Sequence, residues 1–101
     1  MLVDVSGIAR EAGFVWPVAI TAALWGLIEG VPSHLSWQDV EGRLWDVVWM
    51  ASVAARKPQS SGVDQVRFRL LINQIDHWLK MVIGPGDDGE PAITIMLPDE
   101  D

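Results

Sequence analysis

The chain has no cysteine among its 101 residues. Disulfides, a thiol nucleophile and cysteine-based zinc or iron–sulfur sites are therefore excluded. A reducing compartment is expected. Basic residues are scarce: seven Lys and Arg stand against fourteen Asp and Glu, for a net charge of −7. Direct nucleic-acid binding needs a basic footprint to offset phosphate charge, so that class is set aside. Long apolar runs are also missing. The longest near-apolar stretch, 14–28, contains Pro17 and Gly26 and is short for a bilayer span. The N-terminal MLVDVSGIARE carries Asp4, Arg10 and Glu11 with no basic region leading into an apolar run, so it does not read as a secretory signal. A soluble, cytoplasmic protein without membrane association is expected.

What is present is hydrophobic: 50% of the residues, including six tryptophans. That content argues against overall disorder, and the length predicts a single domain over 1–101. Leu2 to Val5 alternates as a short strand. Ser6 is expected to cap a helix over 7–12, with Gly13 closing it in a left-handed conformation. Around Pro17 an apolar, β-branched stretch suits an edge strand or a turn. Thr21 then caps a helix to about Glu29; a single helix starting at Pro17 is the alternative.

The strongest helix is predicted over 36–57, opened by Ser36 and Asp39 as a variant capping box. After a loop at 59–62, the segment 66–73 alternates, with Val66, Phe68, Leu70 and Ile72 on one face and Arg67 and Arg69 on the other. Residues 74–77 are read as a turn. Strands at 78–83 and 92–97 follow, joined by the Gly- and Pro-rich 84–91, which predicts an antiparallel meander. The expected fold is α+β: an antiparallel sheet of three to four strands packed against one long helix, with one or two shorter N-terminal helices.

At about 100° per residue, Leu44, Val47, Val48, Ala51, Ala54 and Ala55 of the long helix share a core stripe, and Asp39, Arg43, Asp46 and Lys57 a solvated one. Trp45 and Trp49 are neighbours one turn apart, off the main stripe. They are either core, sandwiched between the sheet and the helix bearing Trp25, or an exposed patch for a partner or a second copy.

Candidate chemistry is thin. His34 and His77 are the only histidines, and Asp76-His77 is an adjacent pair without a nucleophile motif. Gly84, Gly86 and Gly89 lie among Asp87, Asp88 and Glu90, which would repel a phosphate. The same loop lacks the spacing of a calcium-binding EF-hand. No catalytic residue, metal ligand or cofactor is assigned. Arg67, Arg69 and Lys80 form a small basic row that can pair with acidic residues of the same chain or a neighbouring one.

The negative charge is concentrated at the C-terminus. Residues 84–101 carry Asp87, Asp88, Glu90, Asp99, Glu100 and Asp101 and no base, six of the seven net units. These carboxylates flank the apolar AITIML, where one or two charges would suffice to keep a strand from pairing with other chains. The surplus marks them, with Trp45 and Trp49, as candidate partner-binding residues.

Three stretches, LVDVSGIAREAGF, GRLWDVVWM and GPGDDGEPAITIMLPDED, resemble a family of small bacterial proteins carried on plasmids, prophages and other mobile elements. The resemblance extends from Leu2 to Asp101. It implies a mobile-element setting and accessory roles, such as regulating host processes or blocking host defence, and brings no activity with it. The expected function is thus a small acidic, non-enzymatic protein that binds a protein partner with a basic surface. An anti-CRISPR or anti-restriction inhibitor is one form of this, with clustered carboxylates imitating phosphates. The alternatives are a small-molecule-binding or enzymatic domain with a Trp-lined pocket near Asp76 and His77, and a homodimer built on the Trp face.

Overall fold

The computed structural model describes residues 2–30, 40–56, 65–72, 75–86 and 89–100. Its elements are β1 (Leu2–Asp4), α1 (Ser6–Glu11), β2 (Val18–Thr21), α2 (Ala22–Glu29), α3 (Val40–Arg56), β3 (Gln65–Ile72), β4 (Ile75–Pro85) and β5 (Pro91–Met96). The α+β class and the long helix agree with expectation. The predicted helix start at Ser36 and Asp39, the loop at 59–62 and His34 lie outside the described residues.

The sheet differs from the expected three to four antiparallel strands. It has five, in the order β1-β2-β5-β4-β3, and it is mixed. The meander β3-β4-β5 is antiparallel, as its alternation and short connections predicted. The N-terminal pair β1-β2 is antiparallel too, but β2 runs parallel to β5, with Val18 opposite Ile93 and Ile20 opposite Ile95. β5 had a free edge after pairing with β4, and β2 carries two inward apolar residues in matching register. Pro17 therefore precedes an interior strand rather than forming an edge strand; its carbonyl accepts from the Ile93 amide at 2.9 Å. The turn read at 74–77 is also corrected. Ile75 to His77 extend β4 opposite Leu70, Leu71 and Ile72.

Alternation sorts the sheet into two faces. Val18, Ile20, Phe68, Leu70, Leu79, Met81, Ile93 and Ile95 point inward and are buried. They join Ala9 of α1, Leu24 and Ile28 of α2, and Val47, Val48, Ala51 and Ala54 of α3 in one core. The long helix thus uses most of its predicted stripe, although Ala55 is exposed and Leu44 only half-buried.

Arg43, placed by periodicity on the solvated stripe, is instead buried. Its Nε donates to the Ile28 carbonyl at 2.7 Å, satisfying one of the acceptors left open at the end of α2. Arg56 does the same for α1, donating from Nη2 to the Ala12 carbonyl at 3.1 Å. The long helix therefore holds both short helices by their C-terminal ends. Gly13 makes room for this contact: its φ is +107°, and a Cβ there would meet Arg56 Nη2 at 2.8 Å.

The start of α1 also departs from expectation. Ser6 does not act as its cap; Val5 holds that position and no side chain caps the helix, while the Asp4 carboxylate accepts from the Ser6 amide at 3.0 Å and the Ser6 hydroxyl at 2.6 Å. The hydroxyl oxygen in turn accepts from the Val18 amide at 3.1 Å, which ties α1 to β2. Thr21 caps α2 as predicted, accepting from the Leu24 amide.

Candidate functional site

The outward face of the sheet, away from the helical core, brings together residues that are distant in sequence. The register aligns Leu2, Thr21, Met96, Lys80 and Arg67 in one row, and Asp4, Ala19, Thr94, Val82 and Gln65 in the next. A solvated antiparallel face is ordinarily polar. Here its middle is small or apolar: Ala19, Val82, Gly84, Ala92 and Thr94 are half-buried, and Met96 is buried.

At the hairpin end of this face lies an open cleft of about 410 Å³, lined by Pro17, Ala19, Pro85, Pro91 and Ala92, with Asp4 and Glu90 among its residues. Both carboxylates are exposed. The hairpin is closed by the Gly86 amide donating to the Glu90 carbonyl, and Gly89 adopts φ +83°, which its lack of a side chain permits. Asp4 is held below the usual carboxylate range, chiefly by the hydroxyl of Ser6 and then by its amide. The cleft thus joins a proline- and alanine-lined wall to fixed negative charge.

At the diagonally opposite end, Trp78 stands out from β4 at 54% exposure. The Arg69 guanidinium lies over its ring, 5.5 Å from the centroid, and its Nε approaches Asp76 Oδ2 at 3.5 Å. Leu71 is exposed beside them, and Arg67 and Lys80 occupy the same face. Of the basic row read from alternation, Arg67 and Arg69 are exposed, whereas Lys80 is buried at 8% exposure. The row's described ion pair is with Asp76 of the neighbouring strand, not with the acidic terminus.

The acidic residues singled out in the sequence do not form one patch. Asp87, Asp88 and Asp101 lie outside the described residues. Glu90 and Asp99 flank the two ends of β5, whose six residues separate them by roughly 20 Å. Asp99 is exposed, whereas Glu100 is committed to the fold. Its Oε2 accepts from the Thr21 hydroxyl at 2.7 Å and from the Leu97 amide at 2.8 Å.

Trp45 and Trp49 stack with centroids 5.9 Å apart and planes 17° from parallel. Trp45 is half-buried and packs against the core, while Trp49 is 40% exposed, with Arg56 over its ring at 5.5 Å. The first ring thus belongs to the core and the second is partly exposed. The pair lies on α3, on the other side of the sheet from Trp78, so these three tryptophans do not converge on one pocket. Asp76 and His77, being adjacent on β4, point to opposite faces. Among the described residues no three His, Asp or Glu gather as a metal site, and no described helix is long and apolar enough to cross a membrane.

Sequence reasoning missed Asp4, the proline-lined cleft and the exposure of Trp78. Alternation carried a signal for Trp78, since its even spacing from Lys80 assigned it to the charged face, although Lys80 itself is buried there. The cleft carried none, because β1, β2 and β5 meet only through tertiary pairing.

A model of DUF6573, a family of unknown function, matches residues 2–101. No curated protein and no solved structure matches the chain.

Proposed function

The chain belongs to the DUF6573 family of unknown function, and from its geometry we propose that it is a non-enzymatic protein that binds a protein partner through the acidic end of the open sheet face. The observation that supports this most is the cleft between β1, β2 and the β4–β5 hairpin, where Asp4 and Glu90 stand beside Pro17, Pro85, Pro91 and Ala92. Such a surface suits a partner that offers an Arg or Lys next to an apolar or aromatic side chain. The apolar contact supplies affinity and the charge supplies orientation and encounter rate.

In the mobile-element setting that the sequence resemblance implies, this partner is a basic host protein in the cytoplasm, and blocking a nucleic-acid-handling defence complex is the corresponding role. Docking into a cleft is favoured over imitation of a phosphate row. The described carboxylates occupy opposite ends of β5 instead of tracing a continuous line, and Glu100 is already bonded within the chain.

The reading is tested by parallel pull-downs from bacterial lysate with the wild type and Glu90→Lys. Retention by the wild type of a basic protein that elutes with moderate salt, and its loss with Glu90→Lys, is the expected result. A partner insensitive to both salt and the substitution would refute the reading, as would no partner at all.

A further inference from the structure

We propose that the open sheet face is a homodimer interface in which Trp78 of one copy seats in the proline-lined cleft of a second copy, with Arg69 beside it meeting the Glu90 and Asp4 carboxylates. The inference rests on the reading of that cleft as a protein-binding surface and names a second copy of this chain as an occupant.

The features of this face are divided between its two ends. A knob, the exposed Trp78 carrying Arg69 on its ring, stands toward the β3–β4 end. A hole of about 410 Å³ with two exposed carboxylates stands at the β4–β5 hairpin end. Knob and hole are separated by the seven residues from Trp78 to Pro85, roughly 23 Å of β4. A two-fold axis lying in the plane of the interface, perpendicular to the line joining knob and hole, places each copy's knob over the other's hole. The contact is therefore made twice and closes on itself, as an isologous dimer requires.

Charge complementarity runs the same way. The knob end has the exposed Arg67 and Arg69 against Asp76, with Lys80 buried between the strands, and the hole end has Asp4 and Glu90. Shape agrees as well. Between the two ends lie Val82, Gly84 and Thr94, with the buried Lys80 and Met96 beside them, so no exposed large side chain keeps two sheets from the spacing of about 10 Å seen in sandwiches. A protruding aromatic flanked by Arg and entering an apolar pocket is the composition of an interface hot spot. Five strands at about 4.8 Å, over the roughly 23 Å between knob and hole, give a face of about 550 Å² per copy, about 1,100 Å² in total, the size of small, reversible interfaces.

Sedimentation velocity on the whole chain, from about 5 μM to about 500 μM at low and high salt, tests the proposal. The wild type is expected to dimerise with concentration, less so at high salt. Trp78→Ala, whose side chain is mostly outside the core, should keep its melting temperature and weaken the dimer by about thirtyfold or more. The decisive arm is charge exchange. Arg69→Glu alone and Glu90→Lys alone should each be monomeric, because each brings like charges together twice. An equimolar mixture of the two should recover a dimer, because both contacts again join opposite charges. A monomeric wild type throughout the range would overturn the proposal, as would a dimer indifferent to all three substitutions or a mixture that stays monomeric. A monomeric wild type that still captures a basic lysate protein, lost in Glu90→Lys, would overturn the dimer while leaving the reading of the cleft intact. Recovery of the mixed dimer without any captured protein would uphold the dimer and remove the basic host partner.

Discussion

Glu100 is the point at which the charged C-terminus can be separated into fold and surface. Its carboxylate accepts from the Thr21 hydroxyl at 2.7 Å and from the Leu97 amide at 2.8 Å. Thr21 is also the N-cap of α2, so one hydroxyl serves both the helix and the C-terminal turn. Buried hydrogen bonds to a charged group contribute about 1.5–3 kcal/mol each. Glu100 is only half-buried, so about 1 kcal/mol per bond is the better figure after solvent screening, and Glu100→Ala should cost about 2 kcal/mol. For a domain of this size that corresponds to a melting temperature lower by about 8–15 °C. Thr21→Val should cost about as much, since it loses the cap and the bond to Glu100 together. The two substitutions share an interaction, so the double variant should be less destabilised than the sum by about 1 kcal/mol. Chemical and thermal denaturation followed by circular dichroism measure all four species. A Glu100→Ala variant that melts within about 2 °C of the wild type, or a strictly additive cycle, would refute the clasp. Glu100 would then be returned to the set of carboxylates available to a partner.

Arg43→Ala should cost about 3 kcal/mol, because it leaves the Ile28 carbonyl without its donor and opens a hole. Arg43→Met should cost only about 1 kcal/mol, since it keeps the volume of the stem and removes the buried Nη1 that has no hydrogen-bond partner. Equal losses in urea titrations of the two would contradict this account. Trp45→Ala should destabilise by about 2 kcal/mol and Trp49→Ala by about 1 kcal/mol, because the first packs against the core and the second gives up only a stacking and a cation–π contact. The reverse order in thermal melts would show that Trp49 is the structural member. Asp4 has a folded-state pKa below its unfolded value, so the stability it contributes is present above about pH 4 and is lost as pH falls through the lower, folded-state value. Ser6→Ala removes the first cause of that shift. The stability gap between wild type and Ser6→Ala should therefore narrow on going from about pH 6 to about pH 2.5, and a gap that widens in acid would be inconsistent with the Asp4–Ser6 bond.

Local patterning determined much of this molecule. Alternation in 66–72 placed Phe68, Leu70 and Ile72 inside and Arg67 and Arg69 outside, and β3 has that arrangement. Helical periodicity put Val47, Val48, Ala51 and Ala54 on the core stripe, and Thr21 announced the start of α2 by its capping chemistry. Gly13 announced the left-handed position after α1, where φ is +107°. Each of these signals acts over a few residues, which is why the sequence carries it.

Tertiary structure decided what depends on partners far along the chain. The parallel pairing of β2 with β5 joins residues more than seventy positions apart, and no local feature of Val18–Thr21 names that neighbour. Arg43 looked solvated on its own helix and became buried because the end of α2 came to meet it. Glu100 looked like surplus surface charge and became a clasp because Thr21 was delivered beside it. The composition fixed how much negative charge the C-terminus would carry. Only the sheet decided that Glu90 would stand with Asp4 at one end, and that Glu100 would be used up at the other.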